Sequence, residues 1–325
     1  GAVLGRAVLA DACISFIGLK LGLVTGQGPA HCGDLYFDDL AVPREVYADD
    51  SPLALCITDK LRTDCLPRRT RTAHKGLHGH VHCLGGDHGT AGAIRIAAEA
   101  ALRSGAGLVS VSTQPNAANS LVQACPELMA SGFVPDAVLH QHASSADLLL
   151  LGPGLGQRDW GQQLWGQALA LNKPMLVDAD GLNLLAQNPM HRDNWVLTPH
   201  PGEAARLLGC DTRQVQADRP AAVRALQTKY GGVIVLKGAG SLVLGPDGQL
   251  HVCRQGNPGM AVGGMGDLLA GIITGLWAQG IDMTVAARLG VYLHAVAADR
   301  AAADLGERGL LPTDLFAYLR ALLNP

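Results

Sequence analysis

The stretch GNPGMAVGGMGDLLAG, residues 256–271, carries the pattern that decides the fold. Gly263, Gly264 and Gly266 precede an apolar helical pattern, and glycine permits left-handed backbone and close approach to a ligand. The first N–H groups of a helix lack intrahelical acceptors and lie at the positive end of its dipole. The stretch therefore predicts an anion cradle, with Asp267 as a base for an attacking hydroxyl. The alternative is structural, since glycine-rich turns cap helices and Asp is a common N-cap.

Outward from this stretch, short apolar runs alternate with helical patterns. Gly- or Pro-containing turns follow five of these runs: GGDHGTAGA (85–93), GPGLG (152–156), DADGLN (178–183), TPHPGE (198–203) and LKGAGS (236–241). Continuous apolar strands that are each followed by a helix are typical of a parallel sheet, whose ligands bind at the carboxyl ends of its strands. SLVLGPDGQLHVCRQ predicts a β-hairpin instead. The sequence thus predicts an α/β fold with a mostly parallel central sheet flanked by helices, plus one small hairpin.

Polar residues in these turns are further candidates. Asp178 and Asp180 stand two apart, so in an extended strand both carboxylates would face one ligand, although Asp180 with the glycine after it also fits a plain turn. His200, before a predicted helix, is placed to donate to a phosphate or a ring. Lys237 ends a buried strand, where it would meet a phosphate or simply reach solvent.

Three alternating histidines raise the question of a metal site. His78, His80 and His82 would share one face of a strand, which zinc could use. No Cys or carboxylate lies at ligand spacing, and the sequence therefore disfavours zinc there.

Composition excludes several classes of protein. The net charge of −3 gives no electrostatic case for nucleic acid or a membrane surface, and no apolar stretch reaches 18 residues. The basic run at residues 68–75 lacks interleaved aromatic residues and fits a solvated connector better. The eight cysteines contain no C-x-x-C pair, which favours a reducing compartment.

The chain divides into three predicted parts. Residues 1–47 are expected to be the tail of one unit, residues 48–74 a linker with the irregular segment PRRTRT, and residues 75–325 the main domain. The start, GAVLGRAVLADACISF, does not resemble a signal peptide and suggests a piece of a longer chain.

The main domain resembles the ADP-dependent NAD(P)H-hydrate dehydratase family, which has a ribokinase-like fold. The motifs that carry the resemblance follow the family's order: KGLHGHVHCLGG, GTAGA, RSGAGLV, GPGLG, VDADGLN, TPHPGE, LKGAGS and GNPGMAVGGMGDLLAG. Residues 1–43 resemble the last strands of an NAD(P)H-hydrate epimerase domain, which precedes the dehydratase in bifunctional repair proteins. Only that tail is present, so epimerase activity is not expected of this chain. Thr90 departs from the family, which usually has Met there.

The resemblance implies a role for particular residues. Those expected to contact the hydrate are Ala93, Gly154, Gly156, His200 and Asp267. Those expected to hold the nucleotide are Lys237, Gly238, Ala239, Gly240, Ser241 and Gly266. The amides expected to receive the migrating phosphate are those of Gly263, Gly264, Met265 and Gly266. Further candidates are Asn257, Asp180 and Asn183 in the dehydratase, Asp11 for the epimerase substrate and Ser15 for potassium.

It also implies a reaction: ADP phosphorylates the ring hydroxyl of the S epimer of the hydrate, and loss of phosphate restores NAD(P)H and leaves AMP. Mg²⁺ would bridge the phosphates, and K⁺ would belong to the absent part of the epimerase domain. The expected partners are small nucleotides, with no nucleic acid and no membrane, in a cytoplasmic homo-oligomer of which a tetramer is the family's form.

Three alternatives stay open at this point. A vitamin-precursor kinase of the hydroxyethylthiazole or hydroxymethylpyrimidine type would share the cradle and the Asp but stop at a phosphoester. A non-catalytic nucleotide-binding module would not need the carboxylate of Asp267. A dehydrogenase is disfavoured, since no G-x-G-x-x-G opens the first strand–helix unit.

Overall fold

The computed structural model describes residues 1–48, 51–66, 68–134, 139 and 141–324. Its main feature is a ten-stranded sheet, with a separate pair of strands near the N-terminus. The strands are β1 (Ala12–Phe16), β2 (Asp34–Asp38), β3 (Leu55–Cys56), β4 (His80–Leu84), β5 (Leu108–Thr113), β6 (Met129–Gly132), β7 (Leu148–Leu151), β8 (Met175–Val177), β9 (Trp195–Leu197), β10 (Val233–Leu236), β11 (Ser241–Leu244) and β12 (Leu250–Cys253).

The order of strands in the large sheet is β3-β12-β11-β10-β9-β8-β7-β4-β5-β6. Neighbours from β10 through β6 are parallel, as the apolar runs predict. β11 is antiparallel to β10 and to β12, which confirms the predicted hairpin. The predicted mostly parallel α/β sheet with one hairpin is therefore correct.

Helices cover both faces of the sheet. They are α1 (Gly28–Cys32), α2 (Asp59–Cys65), α3 (Ala91–Arg103), α4 (Pro115–Ala124), α5 (Gln141–Ser145), α6 (Asp159–Ala170), α7 (Ala179–Gln187), α8 (Pro201–Leu208), α9 (Thr212–Ala217), α10 (Arg219–Tyr230), α11 (Met265–Ala278), α12 (Met283–Leu305) and α13 (Leu315–Leu322). Successive strand residues enter opposite cores: Leu149 and Leu151 pack with α6, α7 and α10, whereas Leu150 packs with α3, α11 and α12. This is why β7, β8, β9 and β10 are apolar throughout rather than alternating, whereas β4 and β5 also carry buried histidine and serine side chains.

Helix α11 lies unusually close to α3. A Cβ atom at Gly271 would overlap the carbonyl oxygen of Ala97, and one at Gly275 would overlap that of Ala101. Glycine at these two positions lets the two backbones touch. The helix that begins at the predicted cradle is thus fixed against the helix that follows the first Gly-rich turn.

Part of the predicted linker belongs to the sheet. β3 pairs in parallel with β12, and Ile57 after it is 4% exposed. Tyr292 of α12 donates to Asp59 of α2. Because these contacts tie residues 55–65 to the main domain, we propose that this domain begins before Leu55 rather than at Lys75; residues 49, 50 and 67 of the predicted linker lie outside the described residues.

The N-terminal strands β1 and β2 form their own parallel pair, with Ala12 opposite Asp34. Ile14, Phe16 and Tyr36 on this pair are 52%, 44% and 58% exposed. In the part of the chain that the structure describes, no helix combines the length and the apolar character needed to cross a membrane.

Candidate functional site

The glycine-rich entrance of α11 has the form of an anion cradle. Gly264 is the N-cap, with a φ of +93°, and no side chain caps the helix. The amides at the start of α11 are therefore left for a ligand. A Cβ at Gly266 would lie 3.3 Å from the Nζ atom of Lys237, so the lysine of a different loop reaches the same helix entrance. The structure brings the predicted cradle and Lys237 together.

A buried cluster of charges surrounds this entrance. The Nζ atom of Lys237 lies 2.6 Å from Oδ1 of Asp178 and 3.8 Å from Oε2 of Glu203. Burial alone would lower the pKa of Lys237, but these two carboxylates outweigh it and raise the pKa. Lys237 is therefore fully charged, and its ammonium group faces the cradle. A fixed cation beside free amides is the arrangement that attracts a phosphate.

Asp267 occupies the first turn of α11, beside this cluster. Burial raises its pKa to about 6; the carboxylate of Asp178 adds to the rise, and Lys237 opposes it. A carboxylate whose pKa lies close to neutrality is suited to accept a proton from a hydroxyl. The role of Asp267 as the base stays a prediction.

Glu203 is a residue of this cluster that the sequence analysis does not single out. Its Oε2 atom accepts the backbone N–H of His200 at 2.8 Å, and burial raises its pKa to about 7. The sequence does contain a signal for this contact, because His200 and Glu203 have the spacing of a capping box, and the structure forms one. The Glu203 carboxylate therefore both caps α8 and faces Lys237.

His200 stands at the N-cap of α8, and about half of its side chain is exposed. Its Nδ1 atom accepts the N–H groups of Gly202 and Glu203 at 2.9 and 3.4 Å. Burial, and next the charge of Lys237, lower its pKa. The imidazole is therefore neutral, with its proton on Nε2, which lies 3.4 Å from Oε1 of Glu203. A donor role of His200 toward a ligand stays a prediction.

The extended strand that would place Asp178 and Asp180 on one face is not formed. The strand ends at Val177, and Ala179, with a φ of +48°, begins α7. Asp178 therefore turns to Lys237, whereas Asp180 accepts the N–H of Gly156 at 2.9 Å. The two-residue period of a strand does not apply once the chain turns into a helix.

Asp180 instead organises the GPGLG turn. Its Oδ1 atom accepts from Asn183 at 3.2 Å, and Asn183 in turn accepts from Arg206 at 2.6 Å. Asn183 and Arg206 line an open cavity of about 340 Å³. The predicted candidates Gly156, Asp180 and Asn183 are thus joined by hydrogen bonds, and Asn183 lines this cavity.

The first Gly-rich turn is held by Asp87, which the sequence analysis also passes over. Asp87 is 4% exposed and accepts from Arg158 at 2.7 Å and from Gln114 at 2.9 Å. Burial alone would raise its pKa, but the hydrogen bonds that it accepts hold the pKa below its ordinary value. Thr90, the departure from the family pattern, donates to the carbonyl of Gly154 at 2.9 Å.

Ala93, the remaining hydrate candidate, lies in the first turn of α3, directly after this Asp87 turn. Its backbone N–H donates to the carbonyl of Thr90 at 3.1 Å. Thr90 therefore connects two of the predicted hydrate contacts, Ala93 and Gly154.

The loop Lys237–Ser241 lies over a buried guanidinium. Arg219, 2% exposed, donates to the carbonyls of Lys237 and Gly240, each at 3.3 Å. Burial lowers its pKa to about 10, so it stays charged. Gly238 and Gly240 have φ values of +133° and +64°, and Ser241 donates to the carbonyl of Gly238 at 2.9 Å. The predicted nucleotide loop is thus a tight, glycine-dependent turn.

Other candidates lie apart from the cluster or serve the fold. Asn257 donates to Asp299 at 2.9 Å and accepts from Gly259, which secures the loop ahead of the cradle. Asp11 and Ser15 lie at the N-terminal strand pair, where Ser15 donates to the carbonyl of Gly18 at 2.9 Å. The structure does not bring these two into the cleft cluster.

Two of the three alternating histidines are hydrogen-bonded to serine side chains of β5. His78 belongs to a short 3₁₀ turn before β4, so it does not share a strand face with the others. His80 and His82 both contact the hydroxyl of Ser110 at 2.7 Å. Among the described residues no group of three or more His, Cys, Asp or Glu side chains is arranged to hold a metal ion.

The fold and the cradle together define a ribokinase-like protein. The chain is similar to a ribokinase-like superfamily protein from Enterococcus faecalis, with a TM-score of 0.75 and 31% identity over 84% of this chain and 96% of that one. It is also similar to an ADP/ATP-dependent NAD(P)H-hydrate dehydratase from Bacillus subtilis, co-crystallised with ATP and Mg²⁺, with a TM-score of 0.73 and 30% identity over 83% of this chain and 97% of that one.

The sequence places the chain within this class. Residues 81–321 match the model of the NAD(P)H-hydrate dehydratase family. A bifunctional NAD(P)H-hydrate repair enzyme from Coxiella burnetii is 48% identical over 100% of this chain and 67% of its own length. The chain belongs to the NAD(P)H-hydrate dehydratase family, which favours the predicted hydrate dehydratase over the vitamin-precursor kinase. It spans about two thirds of the length of the curated relatives, 63–67% for three of them.

Proposed function

We propose that this chain catalyses the ADP-dependent dehydration of the S epimer of NAD(P)H hydrate, giving NAD(P)H, AMP and phosphate. The observation that carries the proposal is the convergence of Lys237, Asp267 and the free amides of α11 at one point. This point combines a base, a fixed cation and an anion cradle, which phosphoryl transfer requires.

Asp267 begins the reaction by removing the proton of the ring hydroxyl. The hydroxyl oxygen then forms a bond to the β-phosphorus of ADP, and the bond between that phosphorus and AMP breaks. The amides of residues 263–266 and the ammonium of Lys237 stabilise the charge on the migrating group. In the second stage the C6–O bond breaks and phosphate leaves. Loss of a proton from the neighbouring ring carbon restores the double bond. The phosphorylation in the first stage therefore serves to convert the ring hydroxyl into a good leaving group.

The carboxylates present fit a supporting role for Mg²⁺. Asp178 and Glu203 are the acidic side chains that face Lys237, and Mg²⁺ commonly uses one or two carboxylates with phosphate oxygens and water as its other ligands. When bound, Mg²⁺ neutralises charge on the phosphates. The protein need not supply a complete set of ligands, which accords with the lack of a three-residue metal cluster in the described ranges.

The N-terminal segment supports a second part of the proposal. We infer that residues 1–47 are the tail of an epimerase domain, as the bifunctional relatives and the exposed apolar side chains of β1 and β2 suggest. Substrate and K⁺ contacts at Asp11 and Ser15 belong to that domain and stay predictions. A cytoplasmic location and a homo-oligomeric, tetrameric assembly are likewise predictions from the family.

The test is an assay with purified NAD(P)H hydrate and either ADP or ATP, following the absorbance of the reduced nicotinamide together with AMP and phosphate. Return of the absorbance with one AMP and one phosphate per hydrate supports the proposal. A stable phosphoester without NAD(P)H would favour the kinase alternative. Nucleotide binding without turnover would favour a binding module. Faster turnover with ATP than with ADP would refute the choice of donor.

A further inference from the structure

A turn of the N-terminal unit lies directly on the loop Lys237–Ser241. The backbone N–H of Gly26 donates to the carbonyl of Ala239 at 3.0 Å. Val24 and Thr25 are 7% and 2% exposed, and Val24 belongs to the hydrophobic core of the main domain. The turn Val24–Gly26 is therefore packed as firmly as a core element, although it is more than 200 residues away in sequence.

The identity of residue 240 is explained by this contact. A Cβ atom at Gly240 would overlap the carbonyl oxygen of Val24 and lie 2.7 Å from the Cγ2 methyl group of Thr25. One face of Gly240 is thus covered by the N-terminal turn. From another direction Arg219 holds the carbonyls of Lys237 and Gly240. The loop is held from two directions by residues outside its own motif.

We propose that the turn Val24–Gly26 is a positioning element of the nucleotide site: by holding Ala239 and Gly240, it orders the loop amides that receive the phosphates of a nucleoside diphosphate. The proposal rests on the function proposed above, which places the nucleotide at this loop. Glycine loses more backbone freedom on ordering than other residues do. A loop that is ordered before the ligand arrives does not bear that cost during binding. The turn therefore favours nucleotide affinity without touching the hydrate.

The first test replaces Thr25 in the full chain. Thr25→Arg cannot fit beside Gly240 and should displace the turn, whereas Thr25→Ser keeps the hydroxyl that donates to the carbonyl of Leu21 at 3.0 Å. Val8→Arg adds the same charge to the same unit at a residue that is 80% exposed. The KM and Kd for ADP, the KM for the hydrate and kcat are measured for all three.

We expect Thr25→Arg to weaken ADP binding by about five- to tenfold, the effect of losing one hydrogen bond and its local order, with the KM for the hydrate within about twofold of the parent. Val8→Arg should match the parent, and Thr25→Ser, which keeps the hydroxyl but loses the Cγ2 methyl beside Gly240, should weaken ADP binding less than Thr25→Arg does. Equal rises in both KM values would mean a general structural defect and overturn the proposal. Unchanged ADP affinity in a folded Thr25→Arg protein would also overturn it.

A second measurement needs no variant, so it decides the matter if Thr25→Arg fails to fold. Amide hydrogen exchange of the unaltered chain is compared with and without ADP. We expect ADP to slow exchange both in residues 237–241 and at the amides of residues 24–27, because they form one ordered unit. Slowing in residues 237–241 alone would refute the positioning role while leaving the proposed function intact. A chain that does not bind ADP, with no slowing anywhere, would refute the proposed function first.

Discussion

Replacement of Asp267 by Asn tests the proposed chemistry and its electrostatic basis in one protein. The amide keeps the size of the side chain but cannot accept the hydroxyl proton. General-base catalysis contributes roughly 10²–10⁴-fold, so kcat should fall by that factor. The Kd for ADP should stay within about twofold, because the cradle amides and Lys237 are unchanged. A non-catalytic binding module would show no turnover in either the parent or the Asp267→Asn variant.

The same variant should be more stable than the parent above neutral pH. Burial raises the pKa of Asp267 from 3.8 to about 6. A difference of about two units corresponds to roughly 3 kcal/mol of unfolding free energy, as an upper value. Between pH 4 and pH 6 the folded parent binds more protons at this site than the unfolded chain does. The free energy of unfolding of the parent is therefore highest below pH 4, with respect to this group, and falls as the pH rises through 6 and the buried carboxyl becomes charged. The neutral amide has no such dependence.

The assay is urea denaturation of both proteins at several pH values. The stability advantage of Asp267→Asn should be near zero at pH 4 and should approach its maximum above pH 7. In the parent enzyme, kcat should fall about tenfold per pH unit below pH 6, as Asp267 becomes protonated. Parent-like turnover in Asp267→Asn would refute the base assignment. A stability difference that does not change with pH would refute the argument from burial.

Further substitutions and ligand removal test the rest of the site. Lys237→Met leaves the buried carboxylates of Asp178 and Glu203 without their cation. The free energy of unfolding, followed by a thermal melt, should therefore fall by about 3–5 kcal/mol, and the KM for ADP should rise. An unchanged melting temperature would contradict the stabilising role of these ion pairs. Asp87→Asn removes the carboxylate charge that Arg158 and Gln114 hydrogen-bond. The KM for the hydrate should rise about tenfold, which corresponds to the loss of roughly one charge-assisted hydrogen bond, and the Kd for ADP should stay constant. Chelation of Mg²⁺ should abolish turnover and its return should restore it, whereas a zinc-selective chelator should leave the melting temperature unchanged, because His80 and His82 are hydrogen-bonded to Ser110.

The sequence predicts most of the fold because the relevant signals are local. Strands β7, β8, β9 and β10 are continuous apolar runs that end in turns, and the hairpin has its own Pro-Asp-Gly signal. β3 gives no such signal: it contains two residues, Leu55 is 42% exposed, and its pairing with β12 is visible only in three dimensions. Short edge strands of this kind depend on their partner rather than on their own composition.

The site is predictable to the same degree. Asp267 and the cradle follow from glycines and a helix start that are adjacent in sequence. Arg219 lies 18 residues before Lys237, in a helix without a recognisable motif, and its role depends on carbonyl groups of a folded loop. The misplacement of Asp180 has a similar cause, since one positive φ at Ala179 changes the direction of the side chains that follow. Contacts between distant segments are the part that the sequence does not reveal.

The close contact between α11 and α3 has a consequence for the position of the proposed base. Asp267 stands on one of these helices and the hydrate candidate Ala93 on the other, so the packing of the two helices sets the distance between them. A substitution of Gly271, which touches neither nucleotide nor hydrate, would separate the pair and carry the base away from its hydroxyl. Such a variant would lose turnover although every side chain assigned to the nucleotide or the hydrate was unchanged.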